Sequence, residues 1–334
     1  MCWKETVQGS RDVFFPPGLP LWKDYECEQQ AETRPTLAHC FTSYQTNKQA
    51  GMAEQLDPTL RLPRILCLHG GGTNARIFKI QCRKIAHDLR EEYRFVYVEA
   101  PFASEPGPDV MQVFSECGPF KRWLRFGPTH PALTPQAAVA ALDGAVEAAM
   151  AEDDERGGCG AWTALLGFSQ GAKMCASLLY RQQNRAATAA AAAAATGAVE
   201  AADPSAVRFR FGVLIAGRGP FVSLEPDSAA NESLPSAADF SSMTEKEAPG
   251  RHVLRIPTIH MHGLQDPGLQ EHRKLYREYC HAEARSLLEW DAGHRLPVRS
   301  DDVAPLIREI RRVDGETAAA AAAAITAIDE MVAV

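Results

Sequence analysis

The sequence lacks any run near the roughly 20 consecutive apolar residues that a bilayer span requires, so no membrane span is expected. It also lacks a basic excess. Lys and Arg number 35 against 42 Asp and Glu, a formal net charge of −7. A protein that grips a phosphate backbone needs a net basic face, so nucleic acid is not an expected partner. Nine cysteines are present, an odd count, and no C-x-x-C spacing occurs among them. Neither a disulfide framework nor a structural zinc site fits that pattern, and a reducing, cytoplasmic setting is the default. The opening Met1-Cys2-Trp3-Lys4-Glu5-Thr6 has no apolar core and no small-residue cleavage site, so a secretory signal is not expected. What remains is ordinary globular composition, 46% hydrophobic and 23% charged. The length suits one α/β domain of about 250 residues with extensions.

Residues 1–60 are polar and proline-bearing without a clean period, and read as an irregular N-terminal extension. From there to residue 313, short apolar runs alternate with helical spacing. Ile65–Leu68, Phe95–Val98, Trp162–Leu166, Phe209–Ile215, Ile256–His262 and Ser286–Trp290 read as strands. Continuous apolar runs bounded by turn residues fit strands buried on both faces. Helices are predicted over 75–91, 135–151, 171–183, 270–282 and 301–313. Strands separated by helices imply a mostly parallel sheet covered on both faces. Residues 102–133 are rich in Gly, Pro and aromatics and read as a long loop, a candidate lid. Residues 186–202 hold twelve alanines among seventeen positions, and 186–206 reads as an Ala-rich insertion that either extends the preceding helix or forms a loose surface segment. Residues 314–334 read as an Ala-rich C-terminal tail. Such composition buries little core.

Four motifs stand at the ends of these strands. Gly167-Phe168-Ser169-Gln170-Gly171 matches G-x-S-x-G between a strand and a helix. There a serine on a tight turn needs small neighbours, because strand and helix backbones pass close together. The turn also sets the serine at the positive end of the helix, where an oxyanion is favoured. His69-Gly70-Gly71-Gly72 follows the first strand. An oxyanion hole needs two backbone N–H donors, one from the residue after the serine, Gln170, and one from such an early loop. Gly71 is the first candidate for the second donor and Gly72 the next. The glycine spacing fits neither a P-loop nor a dinucleotide fingerprint, since residue 75 is Ala. Asp266, in His262-Gly263-Leu264-Gln265-Asp266-Pro267, is the candidate carboxylate, with Asp291 as the fallback. His294, after Ala292-Gly293, is the candidate base. His260 and His262 fit structural hydrogen bonding in a strand, and His69 fits bracing of the glycine loop.

The order Ser169, Asp266, His294 is that of the α/β-hydrolase arrangement. His294 would take the Ser169 proton as Oγ attacks an acyl carbonyl, with Asp266 orienting the imidazole. No metal or organic cofactor is needed for that chemistry.

These same residues resemble the FSH-type serine hydrolases. The match rests on Leu66-Cys67-Leu68-His69-Gly70, Leu166-Gly167-Phe168-Ser169-Gln170-Gly171-Ala172, His262-Gly263-x-x-Asp266 and Gly293-His294, across about residues 62–312. The family's fungal members include LovG-type esterases and thioesterases. The resemblance implies an α/β-hydrolase domain using Ser169, Asp266 and His294. It also implies an ester or thioester substrate of polyketide type, carried in some relatives on the acyl carrier protein of a polyketide synthase. A general carboxylesterase, a lactone-forming acyltransferase and a non-catalytic binding protein on the same scaffold are the competing readings.

Phe102, Phe120, Trp123 and Phe126 would line an acyl pocket if the 102–133 segment caps the site. Plain core packing explains the same aromatics. Lys121, Arg122 and Arg125 lie among them and fit either a solvated charged face or a site for a carboxylate or phosphopantetheine group.

Overall fold

A computed structural model describes residues 57–108, 110–196, 207–228, 233–240 and 251–332 of the chain. The extension expected over 1–60 lies outside these residues up to position 56, as do positions 197–206 of the Ala-rich insertion.

The first apolar run forms β1 (Arg64–Leu68), buried along its whole length. The helix predicted over 75–91 is two short helices, α1 (Ala75–Gln81) and α2 (Arg83–Asp88), which meet at Cys82, where ψ is −2°. Asn74 caps α1, its side chain accepting the Ile77 N–H. After β2 (Arg94–Val98) the chain leaves the sheet as β3 (Phe102–Ser104), α3 (Met111–Phe114) and β4 (Phe120–Arg122). α4 (Pro135–Glu155) starts with Thr134 as cap and Pro135 in its first turn, a position where a missing N–H costs nothing. β5 (Trp162–Phe168) feeds α5 (Gln170–Thr196). β6 (Phe211–Ile215), β7 (Thr258–Gly263), α6 (Leu269–Tyr279), β8 (Arg285–Trp290) and α7 (Ser300–Val332) complete the order. β7 starts at Thr258 and not Ile256, because Pro257 has no N–H to give the ladder.

Six strands make one all-parallel sheet in the order β2-β1-β5-β6-β7-β8, and β3 with β4 makes a separate antiparallel pair. Alternate residues of each strand serve the two faces. Leu66, Leu68 and Leu165 join the core beneath α4, α5 and α6, with Ala138, Leu142, Leu179 and Leu275. Ile65, Cys67, Ala164 and Leu166 join the core beneath α1, α2 and α7, with Phe78, Ile85, Leu306 and Ile310. This is a three-layer α/β-hydrolase fold.

The alanine runs extend helices. α5 continues through the run at 186–196, and α7 through the run at 318–324, so the expected tail is helical to Val332. Alanine has the best helix propensity, which sustains the helix where no core is left to bury. α7 buries Val303, Leu306, Ile307, Ile310 and Val313 at helical spacing, yet every residue from Ala319 to Ala324 is exposed. Among the described residues, no helix is long and apolar enough to cross a membrane.

Candidate active site

Ser169 sits between β5 and α5 with φ of +54°, a left-handed conformation held by the turn. Its N–H donates to Ile215 O at 2.9 Å, which ties the turn to β6. A Cβ on Gly171 would lie 2.0 Å from Leu68 O, and one on Gly167 would lie 2.5 Å from the Gly171 carbonyl. Only glycine lets α5 start this close to β1 and β5.

Two loops from the far side of the sheet converge on this serine. After β7, Asp266 closes a turn, its N–H donating to Gly263 O at 3.1 Å. After β8, the chain at Ala292 lies against that turn. Leu264 N donates to Trp290 O and Gln265 N to Ala292 O, both at 2.9 Å. A Cβ on Gly263 would lie 2.4 Å from Ala292 O, so glycine is what lets the loops touch. His294 is thereby held between Asp266 and Ser169. Its Nδ1 lies 2.6 Å from Asp266 Oδ2 and its Nε2 lies 2.9 Å from Ser169 Oγ. With Nδ1–H donated to the carboxylate, Nε2 offers its lone pair to the serine hydroxyl. The Asp266 side chain is fully buried, and its other oxygen accepts the Gly268 N–H at 2.8 Å. Burial alone would raise the Asp266 pKa. The bonds from His294 and Gly268 outweigh it and hold the carboxyl below its ordinary value. Asp291, the fallback acid, instead accepts from Gln265 Nε2.

The structure separates the two glycine donors. Gly72 N–H is spent on Lys121 O at 2.8 Å, and Thr73 N–H on Gly70 O. The N–H groups of Gly71 and Gln170 have no acceptor among the described residues. His69 braces the loop. Ala100 N–H donates to its Nε2 at 3.1 Å, which leaves the proton on Nδ1, 2.8 Å from Gly70 O.

The 102–133 segment is a strap fastened over this loop. Thr73 and Lys121 pair as a bridge, and Gly107 N donates to Gly72 O. The Gln170 side chain adds a tie that the sequence motif does not signal. Its Oε1 accepts from Trp123 N at 2.7 Å and Leu124 N at 3.1 Å, and its Nε2 donates to Leu124 O. One residue thus offers a backbone N–H beside Ser169 and a side chain that continues the strap's backbone bonding.

The four aromatics of the strap part ways. Trp123 is fully buried, its indole donating to His69 O at 2.7 Å, so it is core and brace and not a pocket wall. Phe126 lies beside the glycine loop, 3.2 Å from where a Gly71 Cβ would be, and is 37% exposed. Phe102 lies under the Arg122 guanidinium, 5.0 Å from ring centroid to Cζ. Phe120 is half-buried on β4. Arg122 is no solvated surface charge: it is 2% exposed, with Nε and Nη1 lacking hydrogen-bond partners.

A further histidine stands behind Asp266. His272, in the first turn of α6, is fully buried, with Nε2 3.8 Å from Asp266 Oδ2. Among the described residues, ligand atoms of Asp266, His272 and His294 lie within 4.8 Å of one another, a set that could hold a metal ion. His272 belongs to no motif. The only sequence signal was its place in the helix that follows the Asp266 turn. His260 does bond Thr258 Oγ1, at 3.0 Å, whereas neither nitrogen of His262 has a partner.

A serine, an imidazole and a buried carboxylate in series, set at the carboxyl edge of a parallel sheet, define the class of serine hydrolases with the α/β-hydrolase fold. The serine hydrolase (FSH1) family model matches residues 59–306, and the chain belongs to that family. It is similar to the esterase mpl1 of Monascus purpureus, at 49% identity over 84% of this chain and 84% of that protein. The esterase citA of Monascus ruber is 49% identical over 80% of this chain and 97% of that protein. The esterase claE of Penicillium crustosum is 48% identical over 78% and 95% respectively.

Proposed function

We propose that this serine hydrolase is an esterase or thioesterase that removes a polyketide-type acyl group through an acyl-enzyme on Ser169. The observation that carries the assignment is the unbroken chain from Ser169 Oγ through His294 to Asp266, at 2.9 Å and 2.6 Å. The esterase names of the relatives support the reaction class. In the first step His294 Nε2 accepts the hydroxyl proton as Oγ bonds to the acyl carbon. The carbonyl π electrons move to oxygen, and the N–H groups of Gly71 and Gln170 receive the oxyanion. Asp266 stabilises the imidazolium without taking its proton. As the tetrahedral intermediate collapses, His294 returns the proton to the departing alkoxide or thiolate. Water repeats the sequence from the other side, and the acid leaves.

A substrate presented on an acyl carrier protein, and a reducing cytoplasmic setting, belong to the same proposal. Cys67, Cys82, Cys175 and Cys280 are all buried free thiols, as suits such a compartment.

The test is active-site labelling with a fluorophosphonate, followed by comparison of polyketide-type acyl thioesters with matched simple esters. Stoichiometric phosphonylation at Ser169, absent in Ser169→Ala, together with faster thioester turnover, is the expected result. A folded protein that takes no label would remove the catalytic assignment. Label without thioester preference would leave a general esterase.

A further inference from the structure

Among the described residues, His272 is a buried polar group beside Asp266 and His294 that the proposed reaction does not use. It is fully enclosed and neither ring nitrogen has a hydrogen-bond partner. Burying an imidazole with both nitrogens unmatched is costly, and a vacant lone pair in such a place is suited to a ligand that has none. The ring faces the site: its Nε2 is 3.8 Å from Asp266 Oδ2, and its centroid is 6.1 Å from that of His294 with the planes tilted by 32°. Full burial disfavours the charged form of the ring. Neutral imidazole is the form that binds metals.

We propose that Asp266, His272 and His294 form an inhibitory binding site for a divalent transition metal, with zinc as its best-fitting ion. Two imidazoles and one carboxylate, with a fourth position left open, are a common zinc donor set. A tetrahedral ion at about 2.0–2.1 Å from each donor holds the donors about 3.3 Å apart. The Asp266–His272 gap of 3.8 Å must close slightly, the Asp266–His294 contact of 2.6 Å must open by a similar amount, and the His272–His294 gap, which lies within 4.8 Å, must also settle near that spacing. Imidazole donors favour zinc, copper and nickel over magnesium and calcium. The Asp266 and His272 side chains are fully enclosed while His294 is 24% exposed, so entry is past His294 and equilibration is slow.

Inhibition follows from the tautomer, and this part rests on the proposed role of His294. A neutral imidazole carries one proton. The hydrogen-bonded arrangement keeps it on Nδ1, facing Asp266, and leaves the Nε2 lone pair for Ser169. Metal at Nδ1 needs a lone pair on that nitrogen, so the Nδ1 proton is released to solvent and one is taken up at Nε2. No net proton or electron is exchanged. Nε2 then carries hydrogen and cannot accept the Ser169 proton.

The experiment uses the full chain, stripped of metal with a chelator and then pre-incubated with buffered free zinc. Ester turnover and zinc binding are measured separately, the second by competition with a chromophoric chelator in Ser169→Ala. The paired variant is His272→Phe, a buried ring without nitrogens, with His272→Gln as the alternative if the first does not fold. Expected is inhibition that EDTA reverses and that magnesium does not reproduce. Loss of a metal's outer partner costs roughly 10–100-fold in affinity, so loss of the ligand His272 should weaken both readouts at least tenfold. Cobalt(II) should give a tetrahedral spectrum without a thiolate charge-transfer band, and lose it in the variant. Equal zinc affinity with and without His272 would overturn the site. Zinc binding that depends on His272 but leaves turnover intact would keep the site and overturn its inhibitory role. Failure of fluorophosphonate to label metal-free wild type would refute the catalytic reading alone, since the binding comparison does not depend on turnover.

Discussion

Replacing Lys173 with methionine should stabilise the protein at neutral pH and remove a specific part of its pH dependence. Lys173 is in the first turn of α5, one turn beyond Ser169, and is only 4% exposed. Burial lowers its pKa from 10.5 to about 8, and the charges of Arg218 and Lys274 act in the same direction while Glu271 opposes them. Each unit corresponds to about 1.4 kcal/mol, so the folded state bears on the order of 3 kcal/mol for keeping this ammonium charged. Below pH 8 both folded and unfolded chains hold the proton, and the cost is present in full. Between pH 8 and 10.5 the folded chain gives it up while the unfolded chain keeps it. The unfolded state then binds more protons, so stability rises with pH across that window. Methionine has a similar unbranched stem and no charge to bury. At pH 7 the variant should melt roughly 6–12 °C above wild type, given about 2–4 °C per kcal/mol for domains of about 150–250 residues. At pH 10.5 the two should converge. Differential scanning calorimetry of both proteins from pH 7 to 10.5 measures the difference directly. A constant offset across that range, or a less stable methionine variant at pH 7, would refute the argument and show the ammonium to be well paired.

Three further outcomes are expected. Asp266→Asn should fold normally yet lose about 10³–10⁴-fold in turnover, because an amide cannot hold the Nδ1–H tautomer of His294; fluorophosphonate labelling rates measure this. Asp153→Ala should lower stability by about 1.5–3 kcal/mol in urea melts, since buried Asp153 lies 3.3 Å from Arg64 and 2.8 Å from Arg94, while Arg64 keeps Asp154 and Arg94 keeps Asp57. That pair is far from Ser169, at the opposite ends of the strands, so turnover per folded molecule should hold. Gln170→Ala keeps its backbone N–H but cuts the strap free of α5. It should reduce kcat several-fold or more while costing about 1–3 kcal/mol in stability, from strap amides left unpaired. An unchanged kcat would show that the strap's position does not set the oxyanion loop.

The residues around Ser169 were legible because close backbone contact imposes itself on sequence. Gly171 must be glycine against Leu68 O, and Gly263 against Ala292 O, so both stand out as motif letters. The strands were legible because a sheet covered on both faces is continuously apolar. What was not legible depends on tertiary neighbours. Nothing local distinguishes Arg122, enclosed over Phe102, from the half-buried Lys121 beside it. Trp123 looks like a pocket aromatic until its indole is seen bound to His69 O. The split of α1 from α2 at Cys82 has no proline or glycine to announce it, and the alanine run after α5 left helix and loose segment undecided because helix propensity without a buried face leaves no periodic signal.

The contacts of the strap also bear on how this active site couples binding to chemistry. Both unspent N–H groups suited to an oxyanion are adjacent to atoms that the strap holds. Gly71 precedes Gly72, whose N–H is fixed on Lys121 O, and Gln170 carries the side chain fixed on Trp123 and Leu124. Phe126, the exposed aromatic of the strap, leans over Gly71 itself. A substrate that displaces Phe126 therefore pushes on the same segment that positions the two donors. An acyl chain whose bulk suits the strap leaves the donors in place, and one that lifts it separates them. Because misplacement of about 1 Å at a reacting centre can cost on the order of 100-fold in rate, poorly fitting substrates should be discriminated in kcat as well as in KM. Selectivity expressed mainly in KM would instead mean that the strap yields to substrate without moving the glycine loop.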